Sequence, residues 1–294
     1  MIMPAVLAPL AVGAALGIGA ERIAVQARPA TTVRLLPVLS ALCALTLLSS
    51  ATAVALTLIH HRPGTTSVAV AAILLTAALC ATAGGLRHLW HVRQNLCAAT
   101  RFCRSLPRTE GYLLARSPVA DAYSVPGRGG GIVVTTAMKS ALTEDELTVL
   151  LAHEHAHLRH HHSRWIQIAE TAAALHPLLR PVPDVVRRAA ERWADEEAAA
   201  GGRRAAAQAV AAAAVARSRS LEAHSSTTLS VAGGDVVERV HALVDPPRLP
   251  WARTVAATLI VAIALVSFSA LRTTDIVQDV LLPEHETPHL VLQR

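Results

Sequence analysis

Charge is scarce in this chain of 294 residues: Asp, Glu, Lys and Arg make up 16% of it, where a soluble domain carries about a quarter. An ordinary cytosolic protein is therefore excluded. Aromatic residues are rarer still at 3%, so the apolar bulk comes from Ala, Leu and Val. Lysine is nearly missing: Lys139 is the single one among 27 basic residues. We read no function into that arginine skew. The four cysteines (Cys43, Cys80, Cys97 and Cys103) are too few at this length for a disulfide framework, and four reduced thiols are expected. Apolar residues, by contrast, fill 52% of the chain and its mean hydropathy is +0.41, which excludes disorder.

Uncharged runs account for that balance. They cover residues 1–20, 35–59, 64–86 and 254–271. At 1.5 Å per helical residue, each can cross a hydrocarbon core about 30 Å thick. The first run has no basic segment of the kind that opens a cleaved signal peptide, so a retained span is expected. Arginines orient the spans because they stay on the cytoplasmic side. Arg22, Arg28 and Arg34 lie between the first two runs, and Arg87, Arg93, Arg101, Arg104 and Arg108 follow the third. The tail 272–294 carries Asp275, Asp279, Glu284 and Glu286 against two arginines. One topology satisfies these charges: N-terminus outside, residues 92–250 in the cytosol, short tail outside. Trp90 and Trp251 then both fall at the cytoplasmic interface, where Trp is favoured. The net charge of +6 and the pI near 9.9 become a topology signal, and no direct nucleic-acid partner is expected. The partners implied are the lipid bilayer and a protein substrate.

The expected division is three spans within residues 1–91, one domain over 92–250, a fourth span at 251–271 and the tail 272–294. The fold class is a mostly α membrane protein with four transmembrane helices and a cytosolic α+β domain. Strand patterns occupy 110–116 and 121–125, and the glycines at Arg128-Gly-Gly-Gly131 read as a turn into Ile132-Val-Val-Thr-Thr136. Thr143 with Glu146 forms a capping box that starts a helix running beyond His157. Asp184 is the expected N-cap of a second helix carrying Glu191 and Asp195. The alanine-rich stretch 205–216 reads as a helix without a site.

Inside the first of these helices stands His153-Glu154-His155-Ala156-His157. Residues i and i+4 share a helix face, so His153 and His157 can hold one metal ion, with Glu154 beside it as a proton acceptor. Neutral imidazole suits zinc, and two histidines leave room for a third protein ligand and a water. The chain holds 15 histidines, and His160, His161 and His162 follow closely, so an accidental match or a loose metal tract is the competing reading. The capped helix, its apolar flank and the carboxylates on the next helix favour catalysis. Glu191 and Asp195, again i and i+4, supply a third ligand and a carboxylate that orients a ligand histidine through its other ring nitrogen. His161 is the rival ligand, but three ligands from one helix close a tetrahedron poorly. Glu196 and Glu197 read as solvated.

HExxH followed by Glu191-Arg-Trp-Ala-Asp195, with Asp121-Ala-Tyr and Ile132-Val-Val-Thr-Thr upstream, resembles the gluzincin membrane proteases. Two groups compete: BlaR/MecR-type antirepressor metallopeptidases, and the HtpX and CaaX prenyl proteases. Three spans, a zinc domain and a fourth span resemble the first more closely, as does Val236-Val-Glu-Arg-Val-His-Ala-Leu243. Antirepressors carry a penicillin-binding sensor domain after the last span, where this chain has residues 272–294. The resemblance implies a multi-pass cell-membrane zinc endopeptidase acting in signal transduction, with a BlaI-like repressor as substrate. Alternatives are a quality-control or processing protease of the HtpX/CaaX type and a non-catalytic membrane scaffold; the second is disfavoured by the presence of all five site residues. The resemblance also suggests that substrate pairs with an edge strand near residues 131–136. Simple sheet packing explains those residues equally well.

Overall fold

The computed structural model describes residues 3–61, 64–109, 111–224 and 233–245, together with Ala264, Phe268 and Leu271. Three helices open the chain: α1 (Met3–Gln26), α2 (Pro29–His61) and α3 (Thr65–Ser105). Each is long and apolar enough to cross a membrane. They outrun the uncharged stretches, α1 continuing through Glu21 and Arg22 and α3 through Arg87 to Ser105. Charge marks where a bilayer can end, but a helix ends only where its backbone is diverted. For α3 that point is Leu106, whose extended backbone (φ −87°, ψ 144°) is what the following Pro107 demands. The fourth uncharged run and the acidic tail lie outside the described residues, apart from the three named above.

A four-stranded sheet follows: β1 (Arg108–Thr109), β2 (Tyr112–Ala115), β3 (Ala122–Val125) and β4 (Gly131–Thr135), in the order β1-β2-β4-β3. β2 and β4 are parallel, with Leu113 opposite Val133; the other pairs are antiparallel. Gly127 and Gly129 turn β3 into β4 at φ 100° and 88°, a region that glycine enters without steric cost. This arrangement corrects the expectation of an edge strand near residues 131–136. β4 is paired on both sides, and Val133 and Val134 are fully buried. A continuous Ile-Val-Val run is what a strand covered on both faces requires. The edge strands are β1 and β3, and β3 is the one beside α5.

The remaining helices are α4 (Thr136–Ala141), α5 (Glu144–Arg159), α6 (His162–Leu175), α7 (Val182–Ala198), α8 (Arg203–His224) and α9 (Gly233–Val244). Thr143 and Glu146 close the capping box that starts α5. Asp184 is not the N-cap of α7, which begins at Val182. Pro183 sits in its first turn, where a missing N–H costs nothing, and Asp184 instead accepts from Arg187 at 2.5 Å.

α6, the 3₁₀ turn Pro177–Leu179 and α7 form a hairpin that packs along α1 and α2. Val12, Leu16, Leu36 and Leu39 share one core with Leu179 and Val186. Two glycines in α1 permit the approach. A Cβ on Gly17 would stand 2.2 Å from the Leu178 carbonyl oxygen, and one on Gly13 would stand 2.3 Å from the His176 ring. Glu21 pairs with Arg188 across the same seam. The far end of α3 joins the sheet instead, through Leu96, Ala99 and Cys103 against Leu113 and Val133.

Candidate metal centre

α5 and α7 lie side by side, and the i, i+4 spacing on each turns two side chains toward the other. His153 Nε2 and His157 Nε2 stand 3.1 Å apart. Glu191 completes the group, its Oε2 3.5 Å from His153 Nε2 and its Oε1 3.5 Å from His157 Nε2. Metal–ligand bonds of about 2.0–2.1 Å in a tetrahedron separate two ligand atoms by roughly 3.3 Å, close to each of these three separations.

The tautomers agree with that fit. His153 Nδ1 lies 2.9 Å from Asp195 Oδ1; a hydrogen on that nitrogen faces the carboxylate and leaves a lone pair on Nε2. His157 Nδ1 lies 3.0 Å from His162 Nδ1; with the hydrogen on His157, its Nε2 also presents a lone pair. Two lone pairs facing each other at 3.1 Å repel unless a cation or proton lies between them. Residues His153, His157 and Glu191 therefore suit a bound cation, and their N, N, O set suits zinc.

Burial and charge pull the surrounding groups apart. Burial opposes a charge on His153, but hydrogen bonds to Asp195 and Glu191 outweigh it and raise its pKa to about 9. Burial lowers His157 to about 4, against the pull of Glu191. Burial likewise holds His162 at about 3, aided by the neighbouring histidines, so it stays neutral and can accept from His157. Glu191 falls to about 2: burial works against its charge, but the His153 bond and the charges of His153 and Arg239 prevail. Burial raises Glu154, and the Glu191 charge adds to that, while His153 opposes it.

Glu154 lines a cleft of about 400 Å³ between α5, α7, α8 and the β3 edge. Tyr123 and Ser124 of β3 form one wall. The opposite wall is Ala209, Val210 and Ala213 of α8, so the alanine-rich stretch expected to carry no site borders the cleft, its small side chains leaving the space open. Arg217, also on α8, ties that wall to β3 through Asp121.

His161 does not join the centre. It is exposed and holds φ 54° at the turn between α5 and α6, while His162 beside it is the fully buried one. Glu196 is exposed as expected, but Glu197 pairs with His160 at 3.0 Å. Trp193 stacks on His160, with ring centroids 4.1 Å apart, and the Arg34 guanidinium of α2 lies over its ring at 4.9 Å. Arg239 of α9 was not among the expected site residues. It donates to both oxygens of Asp195 at 2.7 Å and approaches Glu191 at 3.1 Å. A signal for it existed: Val236, Arg239, Val240 and Leu243 fall on one helical face, and an arginine amid an apolar stripe needs a buried partner.

Among known proteins, the family model described as Peptidase family M48 matches residues 90–247, more than half of the chain. No curated protein and no solved structure matches.

Proposed function

The chain belongs to peptidase family M48, and from that premise we propose that it is an integral membrane zinc endopeptidase. Metal dependence and membrane-length helices follow from the family and from α1–α3. The observation that carries the finer reading is the cluster of His153, His157 and Glu191, with Glu154 buried beside it. His153, His157 and Glu191 are the zinc ligands, and Asp195 orients His153. A bound zinc ion would supply Lewis acidity toward a scissile carbonyl and a water. Glu154 takes the proton of the attacking water and passes it to the leaving amide nitrogen. A carboxyl raised by burial is better matched to that exchange near neutral pH than an exposed one. An extended substrate adds to the β3 edge, main chain to main chain, and one of its side chains enters the cleft against α8.

The arginine placement supports four spans with the zinc domain in the cytosol, and hence a cytosolic substrate. The order of spans and domain supports an antirepressor of the BlaR/MecR type acting on a BlaI-like repressor. A genomic neighbour encoding a winged-helix repressor would favour that substrate over the membrane proteins cut by processing proteases.

Glu154→Gln tests the core of the reading. The full chain, purified in detergent, should hold about one zinc per molecule and cleave unstructured casein; 1,10-phenanthroline should abolish that cleavage. Glu154→Gln should keep its zinc while cleavage falls by about 10²–10⁴-fold, the usual worth of a general base. Retained zinc with undiminished cleavage would overturn the assignment.

A further inference from the structure

Among the described charged groups around the metal centre, Arg239 comes from outside the two ligand helices and contacts both Glu191 and Asp195 of α7. Its fork meets Asp195 edge to edge, Nε to Oδ2 and Nη2 to Oδ1, both at 2.7 Å. The remaining nitrogen, Nη1, is 3.1 Å from Glu191 Oε2. Asp195 is almost wholly enclosed, at 2% exposure, and its Oδ1 also receives His153 Nδ1. A carboxylate this enclosed needs donors on its oxygens to hold it in one orientation, and the Arg239 fork supplies one to each. Fixed in that way, Asp195 stays in place beside the His153 ring. We infer that Arg239 is a positioning residue for the metal centre, acting through Asp195 on His153 and directly on Glu191, and that α9 is the element that delivers it.

The placement of α9 fits that task. Leu243 is buried against Ala206 and Ala207 of α8, and Val240 packs beside it, so the helix is held at the rim of the cleft by its apolar face. Arg239 projects from that same face toward α7. Its neighbour Glu238 is exposed. A lysine could not replace this geometry, since an ammonium presents no planar fork to a carboxylate. Electrostatics alone point the other way: a positive charge this near a metal ion repels it, so removing it would tighten binding if Arg239 served only as a charge. The two roles thus predict opposite signs.

Zinc affinity, measured by competition with a chromophoric chelator on the full chain in detergent, separates them without relying on activity. This rests on the zinc site proposed above. Wild-type protein that takes up no zinc would overturn that reading and this one with it. Arg239→Met should bind zinc about 10–100-fold more weakly, the usual cost of losing a group that orients a ligand. Arg239→Lys should fall in between, and Glu238→Ala should match wild type. Asp195→Asn combined with Arg239→Met should lose less affinity than the two single losses added together, because they share the route through Asp195. Circular dichroism and limited proteolysis check that each variant is folded, and Arg239→Lys carries the test if Arg239→Met is not. Unchanged or tighter zinc binding by Arg239→Met, or losses that add in the double variant, would overturn the positioning role and leave the zinc site standing.

Discussion

In the most apolar stretches of α1 and α2, 39% and 44% of the residues are buried, against 11% in α3. Hydropathy does not explain the difference, since α2 and α3 share the value 2.1. What differs is how far each helix is covered by the rest of the chain. α1 and α2 receive the α6–α7 hairpin, whose second helix bears Glu191, and the seam is closed by Val12, Leu16, Leu36 and Leu39. α3 turns Ile73, Leu79 and Leu86 outward, as a helix facing lipid would. The first two apolar helices are thus part of the scaffold behind the metal centre, while α3, although it meets α6 where Gly85 lies against Leu175 and His88 beside Glu170, leaves most of its apolar half outward as a tether. Contact reaches the site itself: Arg34 of α2 lies over Trp193, Trp193 stacks on His160, and His162, also against Trp193, faces His157.

Large-to-small substitutions should show the contrast at its greatest. Leu179 is fully buried in the α1–α2–α7 core, whereas Leu79 of α3 is 70% exposed. Leu179→Ala should lower the unfolding free energy in detergent by about 2–5 kcal/mol, the range for an enclosed leucine. Leu79→Ala should stay within about 0.5 kcal/mol, as surface substitutions do. Equal losses would erase the distinction between scaffold and tether.

A smaller effect with a change of sign is expected from two glycines of α1. Gly17 faces the Leu178 carbonyl oxygen, whereas a Cβ on Gly19 meets nothing within 4 Å. Gly17→Ala should destabilise by about 1–3 kcal/mol through overpacking. Gly19→Ala should stabilise by up to about 1 kcal/mol through helix propensity. Thermal unfolding of the two variants side by side checks this; stabilisation by Gly17→Ala would mean that the hairpin does not sit against α1.

The smallest effect concerns Arg34 and Trp193. A double-mutant cycle of Arg34→Ala and Trp193→Phe, read from unfolding midpoints, should give a coupling of about 0.5–1 kcal/mol, typical of a cation over an aromatic face. The same cycle with Arg93→Ala, on the exposed face of α3, should give none.

Much of the site is legible in the sequence because its geometry is local. His153 and His157 face one way since four residues make about one helical turn, and the same holds for Glu191 and Asp195. The capping box of Thr143 and Glu146 and the glycine turn before β4 are local too. The expected edge strand near residues 131–136 failed for the opposite reason. Which side of Ile132-Val133-Val134 is covered depends on β2 pairing with it in parallel, and no short pattern encodes a partner some twenty residues away.

The sequence by itself determined the long apolar helices, the two helices that carry the chemistry and the residue types able to hold a metal ion, because hydropathy, capping and helical periodicity act within a few turns of chain. Only the tertiary structure decided that the α6–α7 hairpin seats on α1 and α2 with α6 also touching α3, that His162 rather than His161 backs His157, that the alanines of α8 form a wall of the cleft, and that Arg239 reaches Asp195 from 44 residues away. Each of those depends on burial and charge pairing between distant segments, and a buried carboxylate accepts whichever cation the packing brings to it.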